Sequence, residues 1–111
     1  MSLSILPGTV SFLALNAIAR GGPLHGFEIL KWIKDASKGE LLLEEGALYP
    51  ALHRMELEGW LRSDWAVSEK GRRAKYYEIT RAGGRALRKQ SGDWDRYVSA
   101  VARVAAGGRV G

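Results

Sequence analysis

"EEGALYPALHRMELEGWLRSDWAVSEKGRRAKYYEIT", residues 44–80, changes character three times within a short span. It begins acidic, with Leu48, Leu52 and Met55 at i, i+4 and i+7, the spacing of one buried helical face. Tyr49, His53 and Glu56 then lie on the opposite side. Pro50 suits a helix only near its start, where a missing N–H goes unneeded, so the helix is expected to begin close to Gly46 and run from about Glu45 to Glu58. Gly59 ends it. Leu61, Ser63, Trp65 and Val67 next alternate with Arg62, Asp64 and Ala66, the period of a half-buried strand. "SEKGRRA" reads as a polar, basic loop, and "KYYEI" as a second strand rich in aromatic and β-branched residues. By strand alternation at least one of Tyr76 and Tyr77 belongs to the core. Two strands joined in this way form an antiparallel hairpin with a basic tip.

Two more helices precede this stretch and one follows it. Thr9 is a candidate N-cap for a helix that carries Val10, Leu13, Ala14, Ala17 and Ile18 on one face, and Gly21-Gly22-Pro23 stops it. "LHGFEILKWIKDASKG" reads as a second helix with Phe27, Ile29, Leu30 and Ile33 inward, closed by Gly39. After the hairpin, Thr80 caps a helix expected from Arg81 to about Ala105, a length of about 38 Å. The glycines at 83, 84 and 92 weaken it. Leu87, Ser91, Trp94, Val98, Val101 and Ala105 recur at spacings of four and three, the seam of a helix pair, which points to a homodimer.

Helix, helix, helix, strand, basic loop, strand is the order of a winged helix-turn-helix, in which the third helix enters the major groove and the loop becomes the wing. The fold class expected is therefore mostly α with a small β-hairpin. Residues 1–80 form the DNA-binding domain, 81–106 the dimerisation helix and 107–111 a frayed tail. Tyr49, His53 and Arg54 are the candidates for DNA contact on the third helix. Arg72, Arg73 and Lys75 are those on or beside the wing, where phosphate contact is easier than fixed base readout. Glu44 and Glu45 favour the dipole at a helix N-terminus but repel phosphate, and their expected role is capping.

Composition agrees with this reading. A chain of 111 residues with 46% apolar content is one globular domain. A formal charge of +5 favours a polyanionic partner, and the charge is concentrated: eight Lys and Arg fall between Lys70 and Lys89 against one acid, Glu78. Between Glu40 and Glu58 the balance reverses, with five glutamates and Arg54.

The absence of cysteine removes disulfides, thiolate zinc sites and cysteine nucleophiles, and suits a reducing cytoplasm. His25 and His53 lie in different helices with no ligand spacing to a carboxylate, and the acid pairs 44/45, 56/58 and 93/95 do not share a helical face. No phosphate loop or nucleophile elbow is present. No catalytic residue, metal or cofactor is expected. "TVSFLALNAIA", residues 9–19, is too short to span a membrane and lacks a preceding Lys or Arg, so it reads as a buried helix rather than a signal segment.

"GALYPALHRMELEGWL" followed by "GRRAKYYEITRAG" closely resembles the PadR family of bacterial transcriptional regulators, and looser similarity runs from about Leu6 to Val104. The resemblance implies a homodimeric winged-helix repressor on double-stranded, inverted-repeat DNA, with a C-terminal helix that pairs with its partner. Tyr49 matches the tyrosine of the recognition helix, and Lys75-Tyr76-Tyr77 the strand after the wing. Small molecules relieve DNA binding in some members. Trp94 falls where drug-responsive members place an aromatic facing its symmetry mate. That makes it the candidate for a flat aromatic effector, with Asp93 and Asp95 favouring a cationic one; packing within the seam is the alternative.

Two readings compete with DNA binding. One is a winged-helix protein-interaction module, since Glu44, Glu45, Glu56 and Glu58 make the third helix acidic. The other is a peripheral membrane binder using Arg81, Arg85, Arg88 and Lys89 on one helical side.

Overall fold

The computed structural model describes residues 2–107, so most of the expected tail, 108–111, lies outside the described residues. The elements run α1 (Val10–Gly21), α2 (Gly26–Ala36), α3 (Glu45–Leu57), β1 (Leu61–Val67), β2 (Arg73–Ile79) and α4 (Arg81–Ala105). This is a mostly helical fold with one antiparallel hairpin, in the winged-helix arrangement.

The helix starts are chemically distinct. α2 has a capping box built on a histidine: His25 Nδ1 accepts from the Glu28 N–H at 3.4 Å, and Glu28 Oε1 accepts from the His25 N–H at 3.1 Å. α4 begins at Thr80, whose hydroxyl oxygen accepts from the Gly83 N–H at 3.0 Å and whose own proton goes to the Gly59 carbonyl at 2.5 Å. The Thr80 N–H also donates to the Trp60 carbonyl at 3.0 Å. One residue therefore ties the start of α4 to the exit of α3.

The other two starts differ from expectation. Thr9 precedes α1, but its backbone is already helical and its hydroxyl donates backwards to Leu6. Glu44 precedes α3 with no side-chain cap, so the two glutamates act there through charge alone. Pro50 stands at the sixth residue of α3, past the turn where its missing N–H costs nothing. The carbonyl it leaves without its helical partner belongs to Gly46, which is exposed.

The core lies where α1, α2 and α3 converge on the base of the hairpin. Leu15 and Ile18 meet Ile29, Leu48, Leu52, Met55 and Leu61, all fully buried, and each contributes about 1.5–3 kcal/mol by leaving water. Tyr77 is the core member of the Tyr76-Tyr77 pair. Its backbone exchanges two hydrogen bonds with Leu24, so the link between α1 and α2 adds a single-residue third strand to the hairpin.

Two inward assignments are corrected. Phe27 is 67% exposed, because it lies across the α2 axis from Ile29. On β1 the buried pattern ends early: Leu61 is buried, but Trp65 and Val67 are 59% and 69% exposed. The hairpin outruns the core, and its outer half stands in solvent. The loop is also shorter than expected, since Arg73 opens β2.

Candidate nucleic-acid interface

The hairpin register decides what its outer half presents. Leu61 pairs with Ile79, Ser63 with Tyr77, Trp65 with Lys75 and Val67 with Arg73, so these eight side chains share one face. The first two pairs close the core. The last two place a cation opposite an apolar residue, a combination that cannot be buried and therefore belongs to the exposed half.

Arg73 lies over the Trp65 indole, its guanidinium carbon 5.0 Å from the ring centroid. Such stacking pre-orients the planar fork without neutralising it. The loop itself is a tight turn. The Ser68 N–H donates to the Arg72 carbonyl at 2.7 Å, and Gly71 takes a left-handed φ of 75° that a side chain would resist. Arg72 lies in this turn, exposed and in no ion pair among the described residues.

On α3, Tyr49 is 43% exposed, and its phenol lies against Gly26 at the start of α2. Burial, and the charge of Glu45, push its hydroxyl above the ordinary phenol range, so it stays a proton donor at neutral pH. His53 is exposed one turn further on. Arg54 turns away from both and reaches back to the Ser11 hydroxyl on α1, Nη2 to Oγ 3.5 Å. Lys75 is engaged within the protein, its ammonium 3.3 Å from Glu56 Oε1.

Between α2, the start of α3 and the inner face of the wing runs a groove of about 940 Å³. Tyr49, Arg72, Arg73 and Lys75 line it, and His53 and Arg54 do not. Phe27, Lys31, Trp65 and Lys70 line it as well, and the sequence reading did not select them for this role. The signal for Trp65 was present: its cross-strand partners are cations. Phe27 carried no comparable signal.

Along α4, Leu87 packs against the core and Trp94 is half-buried, its ring 6.0 Å from Phe12 of α1 and 6.3 Å from Tyr97. Ser91 is half-buried, whereas Tyr97, Val98, Val101 and Val104 form an exposed apolar stretch past the core. A concavity of about 600 Å³ on this helix is lined by Tyr97, Asp93, Asp95, Arg96 and Arg103 among others, and Trp94 is not part of its wall. No helix among the described residues is long and apolar enough to cross a membrane, and no cluster of His, Asp or Glu suited to a metal occurs among them.

The profile of the transcriptional regulator PadR-like family matches residues 14–89. Among solved structures, a PadR family transcription regulator from Clostridium difficile R20291 is 30% identical, with 85% of this chain and 94% of that one covered and a TM-score of 0.68. A transcriptional regulator from Clostridium thermocellum is 26% identical over 86% of this chain and 92% of that one, with a TM-score of 0.77. A protein from Streptococcus mutans UA159, 23% identical, shares the fold over 100% of this chain and 99% of its own, with a TM-score of 0.80. No curated protein matches the chain.

Proposed function

Because the chain belongs to the PadR-like family of transcriptional regulators, we propose that it is a homodimeric repressor with α3 in the major groove and the wing on the DNA backbone. The observation that carries this reading is the groove that brings Tyr49 of α3 together with Arg72 and Arg73 of the wing. Tyr49 offers a phenolic donor to a base edge or phosphate, and His53 extends the same exposed side of α3. Arg72 and Arg73 are the cations free to meet phosphates or a narrow minor groove.

Pairing of two chains through the exposed part of α4, from Trp94 through Val98 and Val101, gives a two-fold axis and hence an inverted-repeat operator. In that dimer two Trp94 side chains approach across the axis, where a flat aromatic effector has a place to stack. The contact of Trp94 with Phe12 supports the packing role equally.

Selection of bound sequences from a random duplex pool, read at two salt concentrations, tests the reading. An enriched inverted repeat is expected. Arg72→Ala with Arg73→Ala should weaken operator and random DNA alike, lowering the salt slope by roughly 0.9 per lost contact. No enrichment, or a double variant with parental affinity and slope, overturns it.

A further inference from the structure

Glu56 lies on α3 one turn beyond Leu52, and its two carboxylate oxygens have different partners. Oε2 accepts the Ser63 hydroxyl of β1 at 2.6 Å, and Oε1 lies 3.3 Å from the Lys75 ammonium of β2. One carboxylate therefore holds both strands of the hairpin to the recognition helix. The Ser63 hydrogen bond, with help from Lys75, holds the Glu56 carboxyl below the usual carboxylate range, so it is ionised at neutral pH. Lys75 has a second attractive neighbour, since its ammonium lies 5.6 Å above the Tyr77 ring.

The cations of the groove thus fall into two kinds. Lys70, Arg72 and Arg73 have no carboxylate partner among the described residues, whereas Lys31 on α2 is paired with Asp35 and Lys75 at the base of the wing with Glu56. Partly exposed ion pairs of this sort contribute little to stability, so a structural explanation for the pair is weak. Its effect on a polyanion is larger. Each lysine that reaches a phosphate adds affinity for DNA of any sequence, which raises random binding as much as operator binding.

We propose that Glu56 is a positioning residue that occupies Lys75, withholds a sequence-independent phosphate contact from the base of the wing and so limits affinity for DNA of any sequence. The proposal rests on the DNA-binding reading above. Lys75, placed by sequence among the DNA contacts, becomes a residue whose charge is kept from the backbone.

The test uses equilibrium titrations of the full chain with its selected operator and with random duplex, between about 50 and 200 mM salt. The variants are Glu56→Gln, Lys75→Met and the double. Gln keeps the shape of Glu56 and still accepts from Ser63, but it releases the ammonium. For Glu56→Gln the random-DNA slope should steepen by about 0.9 per protomer, about 1.8 for the dimer, roughly a 12-fold greater loss of affinity across that range than the parent shows. The operator-to-random ratio should stay near the parental value, because the released contact adds to both. Lys75→Met should keep the parental slope, and the double variant should return to it.

An unchanged slope in a folded Glu56→Gln protein overturns the proposal. So does a slope reduced by about 0.9 per protomer in Lys75→Met, because Lys75 then already meets a phosphate. Should Glu56→Gln fail to fold, Lys75→Met decides alone, a parental slope supporting the proposal and a reduced one overturning it. A parent that binds neither operator nor random duplex removes the DNA-binding reading itself, and this proposal with it.

Discussion

The phenol of Tyr49 occupies the space that a β-carbon on residue 26 would need, with its Cζ only 2.7 Å from that position. Gly26 is the first residue of α2, so a missing side chain on one helix seats the exposed tyrosine of the next. Gly26→Ala should displace Tyr49 into solvent. Because the displaced atoms are the end of a side chain, the stability cost should stay near the low end of overpacking, about 1 kcal/mol. Operator affinity should fall by much more than stability does, as read by parallel titration and thermal melting. Tyr49→Phe should keep the fold and lose operator preference.

Trp65 holds Arg73 rather than the core. Trp65→Leu should leave the melting temperature near the parental value. It should remove a stacking contact of about 0.5–1 kcal/mol, a two- to fivefold loss of DNA affinity where that energy pre-orients Arg73. Titration of both proteins with operator DNA checks this.

Two adjacent glycines in α4 should respond in opposite directions. A β-carbon on Gly83 would strike the Trp60 backbone carbonyl and come within 2.8 Å of Ile79 Cγ1, and the backbone has little room to give. Gly83→Ala should destabilise by about 1–3 kcal/mol. On Gly84 the nearest atom is the mobile end of Arg88 at 3.7 Å. Gly84→Ala should stabilise by about 0.5–1 kcal/mol through helix propensity alone. Urea denaturation of the pair separates the two effects.

Acid should loosen the wing before it melts the core. The Glu56 carboxyl is held down in the folded state, chiefly by Ser63, so its contribution is full above the unfolded carboxyl range. That contribution is lost as pH falls through the lower, folded value. Between about pH 6 and pH 3 the parent should lose more stability than Glu56→Gln, whose side chain does not titrate. Melting curves at the two pH values measure the difference.

The far half of α4 should hold two chains together. Tyr97, Val98, Val101 and Val104 are exposed on a helix of 25 residues, about 38 Å long, that continues past the core. Truncation after Lys89 should give a monomer or an insoluble chain. Light scattering of the full chain at micromolar concentration should return twice the chain mass, and a monomer there contradicts the dimer.

Much of the fold was legible because the periodic signals were long. Leu48, Leu52 and Met55 gave α3 its buried face, and Thr80 marked the start of α4. The remaining features depend on neighbours that sequence spacing does not encode. Period two placed Trp65 and Val67 inward, but the core stops at the level of Ser63 and Tyr77. Phe27 sits at a helix start, where a single residue has too little periodic context to reveal its face. The strand-like pairing of Leu24 is one residue long and hidden behind Gly22-Pro23. Within the candidate site, residue type pointed to Arg72 and Arg73, while the engagement of Lys75 with Glu56 and of Arg54 with Ser11 needed three dimensions.

Thr80 joins parts that would otherwise move separately. Its hydrogen bonds to Gly59, Trp60 and Gly83, together with the bare backbone contact at Gly83, leave no slack where α4 meets the exit of α3 and the foot of the wing. Close-packed joints transmit displacement rather than absorb it. A tilt imposed on the far end of a 25-residue helix acts there as a lever with a short inner arm. Thr80→Val keeps the outline of the side chain and the backbone bond to Trp60 but removes both hydroxyl bonds, and so should loosen the lever from the surface it would otherwise turn.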